Sequence, residues 1–292
     1  MSHKSGFVNI LGSPNTGKST LMNELVGEKL AIITSKAQTT RHRIMGMVSG
    51  KDFQIVFSDT PGILEPKYKL HEIMMRSVTS ATVDADLVIY VTDVNEKPGI
   101  NRELLHRFIS KSIPVLLVIN KVDLVNQEKA NLLCAEWEGI VSGAEIIPAS
   151  ALLKFNVDKI FDRITALLPE GPPYYPEDTL TDRPERFFVS EIIREKIILN
   201  YHQEIPYSVQ VEVDSFNESD KLVKIRAIIH VMRDSQKGII IGHRGEALKK
   251  VGMKARLDIE KFLAKKVYLE LFVKVSKDWR NKGRQLKGFG YR

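Results

Sequence analysis

Gly12-Ser13-Pro14-Asn15-Thr16-Gly17-Lys18-Ser19 carries the spacing Gly-x4-Gly-Lys-Ser. In a phosphate-binding loop the glycines let the backbone curl until its N–H groups point inward at a helix N-terminus. The flanks suit that reading. Phe7-Val8-Asn9-Ile10-Leu11 leads in as a buried strand, and Ser19-Thr20-Leu21-Met22-Asn23-Glu24-Leu25 leads out as an amphipathic helix. Gly12 through Thr20 are therefore expected to wrap the phosphates of a nucleotide. Lys18 is expected to reach the β- and γ-phosphates, and the Ser19 hydroxyl to ligate Mg²⁺.

Downstream of this loop, two short stretches gain meaning from it. Asp59-Thr60-Pro61-Gly62 follows a predicted strand, Phe53–Phe57. An acidic residue at a strand end can hold Mg²⁺ through water, and the Gly62 N–H can bond a γ-phosphate. Asn120-Lys121-Val122-Asp123 closes another buried strand, 113–119. Asp123 can accept from guanine N1–H and the N2 amino group. Adenine has neither donor, and a site built on paired polar groups rejects a base lacking them. The stem of Lys121 can cover the base, and Asn120 can tie this loop to the phosphate loop. Backbone N–H groups of Ser150 and Ala151 are placed to meet guanine O6. Between the motifs, residues 29–43 form a long polar loop, which in a compact domain is usually functional.

The rest of the N-terminal half alternates strands and helices. Helices are expected near 69–82, 101–110, 127–139 and 157–167, and strands at 44–48, 86–91 and 145–148. The only hairpin turns at Ser49–Asp52. That order implies an α/β fold, a mostly parallel doubly wound sheet with one antiparallel strand. This domain is read as 1–168. Pro169, Pro172, Pro173, Pro176 and Pro184 mark 169–185 as a stiff, extended linker.

Residues 186–292 read as an α+β domain: a helix at 189–199, strands at 208–216 and 223–232, an apolar turn at 236–241, a helix at 246–264 and a strand at 267–275. Gly242-His243-Arg244-Gly245 precedes the long helix. This order resembles the KH RNA-binding module, in the variant whose strands precede the paired helices. Its Gly-x-x-Gly loop approaches a nucleic-acid backbone closely. The resemblance makes Ile241, Gly242, His243, Arg244, Gly245 and Lys249 the candidate RNA contacts. Ile240, Ile241, Ala247, Leu248 and Val251 would form an apolar floor for bases. A helix-turn-helix in a purely structural domain is the competing reading.

Charge divides the same way. Residues 1–180 carry 19 Lys and Arg against 21 Asp and Glu, whereas residues 181–292 carry 24 against 15. An enzyme-like half followed by a polyanion-binding half fits this asymmetry. The single cysteine, Cys134, cannot staple a fold, which suggests a reducing cytoplasm. No stretch has the roughly 18 apolar residues of a membrane span, and the N-terminus reads as having no signal peptide.

Taken together, the phosphate loop, Thr39-Thr40-Arg41, Asp59–Gly62, Asn120–Asp123 and Ser150-Ala151, followed by the KH-like region, resemble the Era family of ribosome-assembly GTPases. The segments 36–43, 190–196 and 284–291 are also like that family. The resemblance implies GTP/GDP and Mg²⁺ as ligands and GTP hydrolysis as the reaction. It implies binding near the 3′ end of small-subunit (16S) ribosomal RNA, a role in small ribosomal subunit maturation, and a cytoplasmic monomer loosely associated with the inner membrane. Thr40 would be the switch threonine on Mg²⁺, with Thr39 the alternative. Ile63 stands where some GTPases place a water-orienting glutamine, so slow intrinsic turnover is expected. Asn15 is a candidate for K⁺ binding or for simple loop stabilisation. A scaffold with a structural nucleotide site, a P-loop kinase or ATPase, and a membrane-surface binder are the rival readings.

Overall fold

The computed structural model describes residues 3–291 apart from Ser35 and Ala37, so the part of the long polar loop expected at 29–43 that falls on those two lies outside the described residues. The chain divides into two compact units, Met1–Glu65 with Met74–Asp182, and Pro66–Ile73 with Arg183–Arg292. Among the described residues no helix is long and apolar enough to cross a membrane.

The first unit is built on β1 (Lys4–Leu11), α1 (Lys18–Val26), β2 (Ile44–Gly50), β3 (Phe53–Asp59), α2 (Lys69–Ala81, whose first turn falls in the second unit), β4 (Leu87–Asp93), α3 (Arg102–Ser110), β5 (Val115–Asn120), α4 (Gln127–Ile140), β6 (Glu145–Pro148) and α5 (Val157–Leu167). The sheet order is β2-β3-β1-β4-β5-β6. All neighbours are parallel except β2 on β3. β4 and β5 are buried along almost their whole length, which is why they read as unbroken apolar runs: helices cover both faces of a parallel sheet. β1 pairs with β3 on one side and β4 on the other. The chain reverses its winding there, and open α/β sheets bind ligands at that switch point, off the carboxyl ends of the strands.

The proline-rich stretch is fastened to this unit along its length. The Gln54 side chain is buried and holds it by three bonds. Its Oε1 accepts the N–H groups of Tyr174 (2.7 Å) and Tyr175 (2.9 Å), and its Nε2 donates to the Tyr175 carbonyl (2.8 Å). Farther on, Met47 N donates to Leu180 O (2.8 Å) and Thr181 Oγ1 to Met45 O (2.7 Å), so residues 180–181 lie along β2.

The second unit runs α6 (Glu185–Asn200), α7 (Ile205–Ser208), β7 (Gln210–Glu218), β8 (Leu222–Val231), α8 (Asp234–Ile241), α9 (Glu246–Leu263), β9 (Lys266–Val275) and α10 (Gly283–Gly288). β7 and β8 are antiparallel, and β9 adds to β8 in parallel after the α8–α9 crossover. Val189, Ile193 and Ile197 of α6 and Val251, Ala255 and Ile259 of α9 pack on the inner face of the sheet. Residues 236–241 are not a simple turn but most of α8. The Gln236 side chain accepts the N–H groups of Met232 (2.9 Å) and Arg233 (3.2 Å), and so caps the helix start. α6 begins four residues before the expected start, with Pro184 in extended conformation at its N-cap. The C-terminal segment was given no element, yet it packs firmly: Trp279 and Leu286 are fully buried, and the Tyr291 hydroxyl donates to Gln210 (2.7 Å).

Candidate nucleotide and RNA sites

The phosphate loop joins β1 to α1 as its glycines require. Gly17 has φ +97°, and a Cβ there would lie 2.1 Å from the Asn120 side chain, so only glycine fits. Gly62 makes a similar close approach: a Cβ would lie 2.7 Å from Pro14 Cα. That contact brings the Asp59–Gly62 stretch against the phosphate loop, where Ile63 N donates to Gly12 O (3.0 Å) and Thr60 Oγ1 to Ile10 O (2.9 Å). A cleft of about 480 Å³ opens above, within the range of small-ligand sites.

Pro14, Asn15, Gly17, Lys18, Ser19, Thr20, Thr40, Thr60, Gly62, Asn120, Lys121, Asp123 and Ser150 line this cleft. Gly12, Thr16, Pro61 and Ala151 are buried and do not line it. Ser13 contributes a carbonyl, which accepts the Lys18 ammonium at 2.6 Å and the Thr16 hydroxyl at 3.0 Å. Lys18 is buried, and desolvation pushes its pKa down to about 8 against the pull of Asp59 and Glu96. It is a cation short of solvation, which a polyphosphate would supply.

Three expected Mg²⁺ ligands converge. Ser19 Oγ donates to Asp59 Oδ2 at 2.7 Å, Thr40 Oγ1 lies 2.8 Å from Ser19 Oγ, and Thr40 Oγ1 lies 3.1 Å from Asp59 Oδ2. Thr40, not Thr39, reaches this cluster. Thr39 is turned back onto Thr34 (2.6 Å) and the Lys36 carbonyl (2.6 Å). Asp59 Oδ1 is buried with no hydrogen-bond partner among the described residues, and burial raises the pKa of the carboxyl. Two hydroxyls and a carboxylate with a spare oxygen make a hard, all-oxygen set, which suits Mg²⁺ with phosphate and water completing its shell. Among the described residues no group of three or more His, Cys, Asp or Glu could hold a metal, so a cation site here would join the Asp59 carboxylate to hydroxyls and ligand oxygens.

At the other end of the cleft, Asn120 bridges two loops, as its place in the sequence suggested. Its Nδ2 donates to Thr16 O (2.8 Å), and its Oδ1 accepts from Ala151 N (2.9 Å). Lys121 donates to the Asn15 carbonyl (2.6 Å) and to Asp93 (2.6 Å). Asp123 is exposed at the rim. The N–H groups of Ser150 and Ala151, expected to meet guanine O6, already have partners within the fold: Ser150 N donates to Phe155 O (3.1 Å) and Ala151 N to Asn120 (2.9 Å). A base meeting this loop must share the Ala151 donor with Asn120.

In the second unit the Gly242–Gly245 turn sits between α8 and α9. Gly242 has φ +71°, and a Cβ there would lie 2.6 Å from that of Ala247. His243, Arg244 and Lys249 are exposed, and Ile241 is half-buried. The proposed apolar floor needs correction. Ile240 and Val251 are fully buried in the core, because the phase of α8 and α9 turns them inward. Ile241, Ala247 and Leu248 remain partly accessible. A groove of about 550 Å³ runs from Gly245 between α9 and β9, lined by Lys249, Gly252, Met253, Arg256 and Tyr268. Of these, only Lys249 was singled out in the sequence. Gly252 was the available signal: a mid-helix glycine costs stability unless something lies close, and a Cβ there would meet Leu271 at 3.3 Å.

Comparison with known proteins bears on both sites. Residues 7–121 match the family model described as 50S ribosome-binding GTPase, and residues 204–280 match the KH domain model. GTPase Era of Staphylococcus haemolyticus is 48% identical over 291 residues, covering 99% of this chain and 97% of its own. GTPase Era of Alkaliphilus metalliredigens is 48% identical over 295 residues, with both chains covered in full. Two solved structures superpose with TM-score 0.94 at 39% identity, each with 99% of both chains covered. One is Era in complex with MgGDPNP and nucleotides 1506–1542 of 16S ribosomal RNA, and the other is an Aquifex aeolicus Era variant bound to GDP·AlF4⁻.

Proposed function

The chain belongs to the Era family of GTPases, and on that footing we propose that it is a GTP-driven switch whose second unit holds the 3′ end of 16S ribosomal RNA during small-subunit assembly. The convergence of Ser19, Thr40 and Asp59 beneath the phosphate loop carries the nucleotide half of this reading. Mg²⁺, held by the two hydroxyls with Asp59 behind them, would neutralise charge on the β- and γ-phosphates. Lys18 adds a second positive charge, and the backbone N–H groups of the loop take the remaining phosphate oxygens. Asp123 selects guanine, Asn120 fixes the loop that carries it, and Lys121 covers the base.

Hydrolysis is in-line attack by water, driven by positioning and electrostatics. Ile63 carries no group that could orient that water, so basal turnover is slow. Thr40 links the switch segment to the metal-binding cluster, so loss of the γ-phosphate frees the described part of residues 34–43 to move. In the second unit the Gly242–Gly245 turn and the α9–β9 groove offer close backbone approach, exposed cations and an aromatic, the combination used for single-stranded RNA. The ribosomal partner and the lone cysteine support a cytoplasmic setting. Loose attachment to the inner membrane and action as a monomer rest on the family resemblance.

Single-turnover hydrolysis of GTP and ATP, with binding of a 16S 3′-end oligonucleotide, tests the reading. It predicts GTP cleavage that is lost in Asp59→Asn, no comparable ATP cleavage, and RNA binding stronger with a GTP analogue than with GDP. Equal use of ATP, or RNA binding unchanged by Gly242→Asp, would contradict it.

A further inference from the structure

Asp93 ends β4 and turns the chain toward α3. Its Oδ1 accepts the N–H groups of Asn95 (2.9 Å) and Glu96 (3.1 Å), and its Oδ2 accepts the Lys121 ammonium at 2.6 Å. The same ammonium donates to the Asn15 carbonyl of the phosphate loop, also at 2.6 Å. Lys121 sits in the left-handed region (φ 62°), directly after the doubly bonded Asn120, so both its backbone and the tip of its side chain are fixed. A lysine left in solvent samples many rotamers, whereas this one is anchored before any ligand arrives. Lys121 so anchored lines the same cleft as Asp123 and Leu124.

We infer that Asp93 is a positioning residue for nucleotide retention: it pins the Lys121 ammonium against the phosphate loop so that the lysine stem closes over the base. The Asp93 carboxylate is well placed for this. It is nearly buried, with 11% side-chain exposure against 33% for Lys121, and the turn N–H groups hold it in one orientation. The turn also sends a second carboxylate toward the site. Glu96, held by Thr92 Oγ1 at 2.6 Å, exerts its charge on Lys18. One turn after β4 thus supplies a counter-charge to each of the two lysines of the cleft.

The inference rests on the reading of this cleft as a guanine-nucleotide site, and the experiment separates the two. Asp93→Asn in the full chain keeps an oxygen for the turn N–H groups and puts an amide NH2, which cannot accept, opposite the Lys121 ammonium. Dissociation of a fluorescent GDP is measured for wild type, Asp93→Asn, Lys121→Met and the double variant. Asp93→Asn should speed release by about tenfold, the scale of one charge-assisted hydrogen bond. It should raise KM for GTP more than it lowers kcat. The double variant should release no faster than Lys121→Met alone, because both changes remove one interaction. GDP and IDP should be affected equally, since a stem across the base face does not read the N2 amino group. Unchanged release in Asp93→Asn overturns the inference. So does a double variant in which the two effects multiply, the pattern expected of a general folding defect. Failure of the wild-type chain to bind GDP would instead refute the underlying nucleotide reading.

Discussion

Lys18 is buried with its ammonium on a carbonyl, Ser13, and two carboxylates acting at longer range. Its pKa of about 8 has a consequence for binding. Above that pH the free protein has lost a proton that bound phosphates restore, so nucleotide binding takes up a proton and affinity falls as pH rises through 8. The sign for stability is opposite: the unfolded chain keeps its lysine protonated up to about 10.4, so this group makes the nucleotide-free fold more stable as pH rises from 8 toward that value. Calorimetric titration with GDP at pH 8.5, in two buffers of different ionisation heat, should show net proton uptake. Uptake of none would remove the argument. Asn15 is a second residue whose part can be measured. It is exposed in the phosphate loop, with its carbonyl accepting from Lys121. If its side chain helps to hold K⁺, hydrolysis will be faster in KCl than in NaCl, and Asn15→Ala will abolish the difference. Equal rates throughout would leave it a loop-stabilising residue.

Among the elements, the strap formed by 169–182 depends most visibly on one side chain. Gln54→Ala removes partners from two N–H groups and a carbonyl. The expected loss is about 2 kcal/mol, since buried polar groups left unsatisfied cost more than a hydrogen bond gains. Chemical denaturation of the full chain will show it as a lower midpoint. What could be read from the sequence at this scale follows from how local each signal is. The phosphate loop, Asp59–Gly62 and Asn120–Asp123 need particular residue types at consecutive positions, so their chemistry is visible without the fold. The choice between Thr39 and Thr40 is not local: neighbouring residues point opposite ways, and contact with Ser19 and Asp59 decides it. Ile240 and Val251 look available as floor residues in the sequence because they are apolar and lie beside a loop, and only helix phase shows that they face the core. α8 was hidden by Gly238 and a run of three isoleucines, which carry no clear 3.6-residue period. α10 begins and ends on glycine, and its burial depends on a long-range fit around Leu286 and Tyr291.

At the scale of the whole molecule, the chain joins a nearly neutral unit to a basic one, and each charge balance suits its ligand. The nucleotide unit uses a few buried charges at fixed points. The basic unit presents exposed cations such as Arg244 and Lys249 beside the Gly242–Gly245 turn. RNA affinity should fall steeply with salt, because each phosphate contact releases counterions. Arg244→Gln should weaken binding to different RNA sequences alike and lower the slope of log affinity against log salt by about one. Loss confined to one RNA sequence would show that Arg244 reads a base instead. The reading as a whole stands on recognition of guanine by a single carboxylate at the rim of the first unit. Competitive binding of GDP and XDP to wild type and Asp123→Asn tests this most directly, because an asparagine amide can donate to the xanthine 2-carbonyl where a carboxylate repels it. Inverted preference, with GDP lost and XDP gained, is the predicted result; GDP affinity untouched by the substitution would contradict it.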